Sequence, residues 1–225
     1  MQNRIREAAD ILKRSRFTTA FTGAGISVES GIPPFRGEGG LWSKYDPKML
    51  DIQYFLDDPV GSWAVIKEIF YDFFGGAKPN KAHLALARME QAGLLGRTIT
   101  QNIDNLHQES GSRMIFEFHG NSKNLCCTNC QRKYKAGEIS LEHFPPTCRE
   151  CGGILKPDFV FFGEPIPQLP LAAAYEAATI SDVFLIIGTT GEVMPANQIP
   201  LMAKENGATI IEVNPKPSNY TANIT

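Results

Sequence analysis

The stretch FTTAFTGAGIS, residues 17–27, joins a short apolar run to a glycine turn. The run has the length and composition of a buried β-strand, and Gly23 and Gly25 follow at once. Backbone N–H groups at such a turn, and at a helix that follows it, can hold a pyrophosphate. The next glycine is Gly31, whereas the dinucleotide fingerprint G-x-G-x-x-G requires one at Val28. The stretch alone therefore leaves two interpretations, a phosphate-binding turn and a purely structural one.

Helix-like and strand-like segments alternate along much of the chain. Apolar residues three and four apart predict helices, and short apolar runs rich in β-branched residues predict strands. The predicted helices lie near 5–12, 82–92, 171–178 and 199–205, and the predicted strands near 17–21, 97–101, 114–120, 183–190 and 208–214. This alternation indicates βαβ units, and therefore a parallel sheet with right-handed crossovers.

Two stretches interrupt the alternation. Residues 38–80 carry aromatic, helix-like segments without a core strand, and residues 121–156 carry every cysteine of the chain. We expect both to be insertions that together form a smaller second domain. The large domain is then expected to comprise residues 1–37, 81–120 and 157–225.

The composition limits the classes of function. The chain of 225 residues has a formal net charge of −2, so it offers no strongly basic surface for nucleic acid. No apolar run approaches the ~20 residues of a membrane span, and the charged N-terminus lacks the apolar stretch of a secretory signal. We therefore expect a cytoplasmic protein that makes no direct contact with nucleic acid or membrane.

All five cysteines lie in one short stretch of the chain. Four of them form two Cys-x-x-Cys pairs separated by seventeen residues, namely Cys127, Cys130, Cys148 and Cys151. Each pair brings two thiolates to one ion, and two pairs complete the tetrahedral sulfur set that zinc favours. A redox dithiol, the alternative, would need only one pair. Because four protein ligands leave no open position, we expect one structural zinc, with Cys126 as a bystander.

Polar residues collect where the predicted strands end. The stretch TQNID (100–104) follows one strand, and His119 ends the next. The stretch GTT (188–190) and Asn214 end two more. Ligands of open parallel sheets bind beyond the carboxyl ends of the strands. A core role for His119 and a loop-capping role for Asn214 are the alternatives, but their shared placement with the glycine turn favours a nucleotide site.

Taken together, these motifs resemble those of the sirtuins of prokaryotic type, the NAD-dependent protein lysine deacylases. The matching motifs occur in the family's order from about residue 5 to about residue 215: GAGIS (23–27), GIPPFRG (31–37), TQNID, HG (119–120), the two Cys-x-x-Cys pairs, FGE (162–164) and GTT. The resemblance implies an α/β fold, a Rossmann-type doubly wound parallel sheet, with a smaller domain. That domain would consist of a helical part, 38–80, and a zinc ribbon, 121–156.

The resemblance also implies an activity. Acetyl or other acyl groups would be transferred from protein lysines to ADP-ribose, giving free lysine, nicotinamide and O-acyl-ADP-ribose. The cofactor would be NAD, which supplies the ADP-ribose. The substrates would be acetylated proteins or peptides bound as an added strand. Protein ADP-ribosyl transfer at the same NAD site is the alternative activity.

Individual roles follow from the same resemblance. Residues implied to bind NAD are Gly23, Ala24, Gly25, Ile26, Phe35, Arg36, Gln101, Asn102, Ile103, Asp104, Gly188, Thr189, Thr190 and Asn214. Residues implied to bind the acyl-lysine peptide are His119, Val160, Phe161, Phe162, Gly163 and Glu164. His119 is implied to take a proton from a ribose hydroxyl, and Asn102 is the second residue assigned to catalysis.

The sequence departs from the family pattern at four places. Pro34 precedes FRG where the family usually has Asp, Thr or Ser, and Gly191 replaces an apolar residue after GTT. The chain stops at Thr225, where family members normally continue through another strand and helix. Ile66 and Ile69 take the positions of a Tyr-x-x-Arg pair found in members that favour succinyl or malonyl groups. Since neither can pair with a carboxylate, we expect a preference for acetyl or longer apolar acyl groups.

Overall fold

The computed structural model describes residues 2–37, 39–143 and 145–223. The α-helices are α1 (Gln2–Arg14), α2 (Ile52–Asp57), α3 (Pro59–Ile66), α4 (Lys81–Gln91), α5 (Leu106–Glu109), α6 (Gln168–Ile180) and α7 (Gln198–Glu205). The strands are β1 (Thr18–Thr22), β2 (Arg97–Thr100), β3 (Ile115–Glu117), β4 (Gly120–Cys127), β5 (Lys133–Lys135), β6 (Leu155–Phe159), β7 (Val183–Ile187) and β8 (Thr209–Val213). A 3-10 helix, Ala24–Ser30, follows β1, and a π-helical segment, Lys67–Phe73, continues α3.

The large sheet has five parallel strands in the order β3-β2-β1-β7-β8. All five residues of β1 are buried, as expected for a central strand covered on both faces. The chain runs outward from β1 in one direction to β3 and in the other direction to β8, so the winding reverses beside β1. A ligand site is expected at this switch point, beyond the carboxyl ends of β1 and β7. The predicted doubly wound fold is confirmed.

Helices cover both faces of this sheet. On one face, small side chains of α6 such as Ala174 and Ala177 let the helix pack closely against Phe21 and Phe184. On the other face, Leu86 of α4 packs against alternate residues of the same strands, including Ala20 and Leu185. Side chains alternate between the two faces along β1 and β7, so the same strands contribute residues to two separate hydrophobic cores. Among the described residues, no helix has both the length and the apolar character needed to cross a membrane.

A second, antiparallel sheet has the order β5-β4-β6 and lies in the cysteine-containing stretch. Its buried Leu125 and Leu155 share one hydrophobic cluster with Trp63 and Phe70 from the helical stretch. The Trp63 indole N–H also donates to the Leu155 carbonyl at 2.8 Å. The two interruptions of the α/β pattern are thus packed against each other.

Trp63 provides a test of this shared core. The Trp63→Ala variant removes a fully buried indole and its hydrogen bond, and we expect it to lower the free energy of unfolding by about 3–5 kcal/mol. Phe73→Ala is a matched control, because Phe73 is 65% exposed and its loss is expected to cost less than about 0.5 kcal/mol. Urea denaturation measures both, and equal losses would contradict the shared core.

Candidate functional site

Two glycine turns meet at the switch point of the large sheet. The Gly23 N–H donates to the Ile187 carbonyl at 3.0 Å, and the Gly25 N–H donates to the Gly188 carbonyl at 2.8 Å. A Cβ atom on Gly25 would lie 2.7 Å from the Gly188 Cα, and Gly188 has a φ of +64°. These glycines therefore let the turns after β1 and β7 touch. The N–H groups of Gly23, Gly25 and Gly188 all donate to backbone carbonyls within the protein.

A cavity of about 880 Å³ opens beyond these turns. Nearly all of the predicted site residues line it: Gly23, Ala24, Gly25, Ile26, Phe35, Arg36, Gln101, Asn102, Ile103, His119, Val160, Phe161, Phe162, Gly163, Glu164, Gly188, Thr189, Thr190 and Asn214. Asp104 is not on the lining. Its carboxylate accepts from the Ser27 hydroxyl at 2.7 Å and from the Leu106 N–H at 3.0 Å.

A buried polar network supports the wall beside Asn102. The Asn102 side-chain amide donates to the Ser27 hydroxyl at 3.1 Å, and Ser27 donates in turn to Asp104. The Asn80 N–H donates to His83 Nδ1 at 3.3 Å, so Nε2 carries the proton of the neutral ring. That nitrogen lies 3.5 Å from the Ser27 hydroxyl. The sequence interpretation overlooked Ser27 and His83, although Asn80 followed by a histidine three residues later is a recognisable helix-start pattern.

His119 projects from the end of β3 onto the cavity wall. Its Nδ1 lies 3.1 Å from the Gln101 carbonyl. Because a carbonyl can only accept, Nδ1 carries the proton of the neutral ring and Nε2 keeps a lone pair. Burial lowers the pKa of His119 below its ordinary value, and the hydrogen bond to Gln101 opposes this only in part. The imidazole is therefore neutral at pH 7 and able to accept a proton.

Aromatic rings close one side of the cavity. The centroids of Phe35 and Trp42 lie 5.2 Å apart, and those of Trp42 and Phe162 lie 6.3 Å apart. Arg36, on the same loop as Phe35, has its Nε 3.5 Å from a Glu192 carboxylate oxygen. The three aromatic rings give this side of the cavity an apolar wall. The sequence interpretation did not single out Trp42, which the tertiary fold brings against Phe162.

Another part of the cavity is built by the turn after β7 and the segment after β8. The Asn214 side-chain amide donates to the Thr189 carbonyl at 3.1 Å and to a Glu212 carboxylate oxygen at 2.6 Å. Gly191, one of the departures from the family pattern, has a φ of +74°, and a Cβ there would lie 2.8 Å from the Tyr220 ring. The buried Tyr220 thus occupies space that a side chain at this position would need. The chain end at Thr225 lies outside the described residues.

The four cysteines of the two pairs converge as predicted. Their sulfur atoms all lie within 4.8 Å of one another, with Cys127 and Cys151 at 3.5 Å and Cys130 and Cys148 at 3.6 Å. A tetrahedral site with Zn–S bonds of ~2.3 Å separates its sulfurs by about 3.8 Å, so the set fits zinc. Cys126 lies outside this group. The sulfur cluster does not line the cavity, as expected for a structural ion.

Comparisons with known proteins agree with this geometry. A family model described as the Sir2 family matches residues 23–195. An NAD-dependent protein deacylase from Aeropyrum pernix is 49% identical over 221 residues, which are 96% of this chain and 87% of the relative. An NAD-dependent protein deacetylase from Caldivirga maquilingensis is 47% identical over 224 residues, with 96% and 84% covered. A solved Sir2 variant with deacetylated p53 peptide and 3′-O-acetyl ADP ribose superposes with a TM-score of 0.94 at 36% identity, covering 98% of this chain and 91% of that chain.

The sulfur cluster predicts one zinc ion per chain. Metal analysis of the purified protein is expected to give one equivalent, and Cys148→Ser is expected to lose it and to lower the melting temperature, because binding energy of the metal contributes to folding. Cys126→Ser is the matched control, since it removes the adjacent thiol that lies outside the cluster. Full zinc content in Cys148→Ser, or its loss in Cys126→Ser, would contradict the assignment.

Proposed function

Because this chain belongs to the Sir2 family, we infer that it is an NAD-dependent protein lysine deacylase. The observation that carries this inference is a single cavity whose wall joins the glycine turns of the switch point to His119 and to the Val160–Glu164 segment. The part of the wall proposed to bind NAD and the part proposed to bind the peptide therefore meet at the imidazole of His119. When bound, NAD supplies a ribose carbon that becomes electrophilic as nicotinamide leaves.

We propose that the chain's own residues divide this work as follows. Gln101 and Asn102, held by Thr189 and Ser27, orient the nicotinamide half of NAD. Phe35 and Phe162 exclude water from the reacting carbon, so that the acyl oxygen of lysine reaches it first. His119 Nε2 accepts a proton from a ribose hydroxyl, and the orientation of its ring by the Gln101 carbonyl supports this role.

The peptide is proposed to bind as a strand added beside residues 160–164. The Val160 carbonyl and the Gly163 N–H find no hydrogen-bond partner among the described residues, and both belong to the cavity-lining segment. Recognition through main-chain groups would admit many peptide sequences. We also propose the predicted division into a large domain (1–37, 81–120, 157–225) and a small domain, and a cytoplasmic location, where thiols stay reduced for zinc.

The His119→Ala variant tests the proposed base. We expect kcat for an acetyl-lysine peptide to fall by about 10²–10⁴-fold, since general base catalysis contributes an effect of this size. Mass spectrometry of the peptide, with and without NAD, measures the loss of acetyl groups and the formation of O-acetyl-ADP-ribose. The exposed His143→Ala is a matched control expected to keep normal turnover.

The pH profile of kcat/KM gives a second readout on His119. A base must be unprotonated to act, so activity falls as the pH drops through its pKa. Because burial lowers that pKa, the acid limb is expected below ~6.5, the ordinary value for histidine. An acid limb above that value, or full activity of His119→Ala, would contradict the assignment. Nicotinamide release without deacylation by the wild type would instead favour ADP-ribosyl transfer.

Acyl preference can be tested with peptides that differ only in the acyl group. Ile66 and Ile69 lie in the core of the small domain, and the only Lys or Arg side chains on the cavity lining among the described residues are Arg36 and Lys216. Arg36 is paired with Glu192, and Lys216 follows β8. Since a buried carboxylate needs a cationic partner, we expect kcat/KM for acetyl-lysine to exceed that for succinyl-lysine by about tenfold or more. A higher succinyl value would contradict this prediction.

A further inference from the structure

A buried ion pair lies directly behind the segment that lines the peptide side of the cavity. Lys156, in β6, is 9% exposed, and its ammonium group has three oxygen neighbours. They are the carbonyls of Pro157 at 3.0 Å and Phe159 at 2.8 Å, and a Glu164 carboxylate oxygen at 3.0 Å. The ammonium group donates hydrogen bonds to the two carbonyls and forms an ion pair with the Glu164 carboxylate. The ammonium nitrogen also lies 4.4 Å from the centre of the Phe161 ring.

The carboxylate of Glu164 links Lys156 to the turn formed by residues 161–164. The oxygen that faces Lys156 also accepts from the Phe161 N–H at 2.8 Å, and the Glu164 N–H donates to the Phe161 carbonyl at 3.0 Å. The turn from 161 to 164 is therefore closed by one backbone bond and one charge-assisted bond. Without Lys156, the Glu164 carboxylate would be left partly buried without its cation, and solvating it would require the turn to open.

The remaining contacts of the segment leave one edge free. The Val160 N–H donates to the His119 carbonyl at 2.8 Å, the Phe162 N–H donates to the Leu50 carbonyl at 2.8 Å, and the Ile52 N–H donates to the Phe162 carbonyl at 3.0 Å. These bonds fix the side of the segment that faces the protein. The Val160 carbonyl and the Gly163 N–H are left for an incoming strand.

We propose that Lys156 is a positioning residue for the substrate: through Glu164 it holds residues 160–164 in the shape that pairs with the peptide backbone. This proposal rests on the proposed function, because it assumes an acyl-lysine peptide as the occupant. Lys156 touches neither reacting group, so its effect is expected on peptide binding and not on NAD binding. The sequence interpretation singled out Glu164 but gave no role to Lys156.

Steady-state kinetics of Lys156→Met test the proposal. We expect KM for an acetyl-lysine peptide to rise by about 10- to 100-fold, because small misplacements of a binding edge have effects of this size, with KM for NAD within about twofold of wild type. Lys133→Met is the matched control. Its lysine lies on β5 of the same sheet and pairs with Asp158 at 2.7 Å, and the variant is expected to keep both KM values.

Hydrogen exchange gives a readout that does not depend on turnover. In Lys156→Met the Phe161 amide is expected to exchange faster than in wild type, while amides of β1 keep their protection. If Lys156→Met does not fold, Glu164→Gln removes the charge but keeps an acceptor for Phe161, and we expect about a 3- to 10-fold rise in peptide KM.

The outcomes separate the two proposals. Wild-type protein without NAD-dependent deacylation would contradict the proposed function, and the exchange of the Phe161 amide would still decide whether Lys156 holds the turn. Active wild type combined with an unchanged peptide KM in both variants would overturn the positioning role. So would an equal rise in the KM values for peptide and NAD, which would indicate a general loss of structure.

Discussion

The contact between the turns after β1 and β7 is the constraint on which the site depends. Backbone atoms of Gly25 and Gly188 approach so closely that neither residue has room for a side chain. This contact fixes the carboxyl ends of the two central strands at the switch point, where the cavity begins. The close backbone packing is therefore the primary reason that these positions require glycine. Cofactor binding uses the surface that this packing creates.

The cavity is lined both by residues that follow the strands of the large sheet and by residues that the small domain positions. Residues 160–164 leave β6 of the small sheet, and they reach His119 through the hydrogen bond of Val160 to its carbonyl. The helical stretch contributes Leu50 to the same segment. The part of the cavity wall formed by residues 160–164 thus depends on the packing of Trp63 and its neighbours against β6. Zinc stabilises that sheet from its far end, away from the reacting atoms.

Much of this arrangement follows from local sequence pattern. The β-branched residues within 97–101 and the apolar run at 183–190 predict strands, and the spacing of the cysteines predicts their convergence, because both depend on residues close in the chain. The network of Ser27 with His83 and Asp104 joins residues far apart in sequence, and only the tertiary fold brings them together. The side-chain contacts of Asp104 with Ser27 likewise depend on the tertiary fold, and Asp104 is not among the residues that line the cavity.

Backbone carbonyls orient the groups that carry the chemistry. His119 is held by the Gln101 carbonyl, and this contact requires β3 to pair with β2 in the register Thr100 to Glu117. A shift of one residue would turn His119 to the other face of the sheet. Because a carbonyl can only accept, the neutral ring carries its proton on Nδ1, and Nε2 is left with a free lone pair. The orientation of the imidazole is therefore set by the register of two strands, whereas the burial of the ring by surrounding groups lowers its pKa.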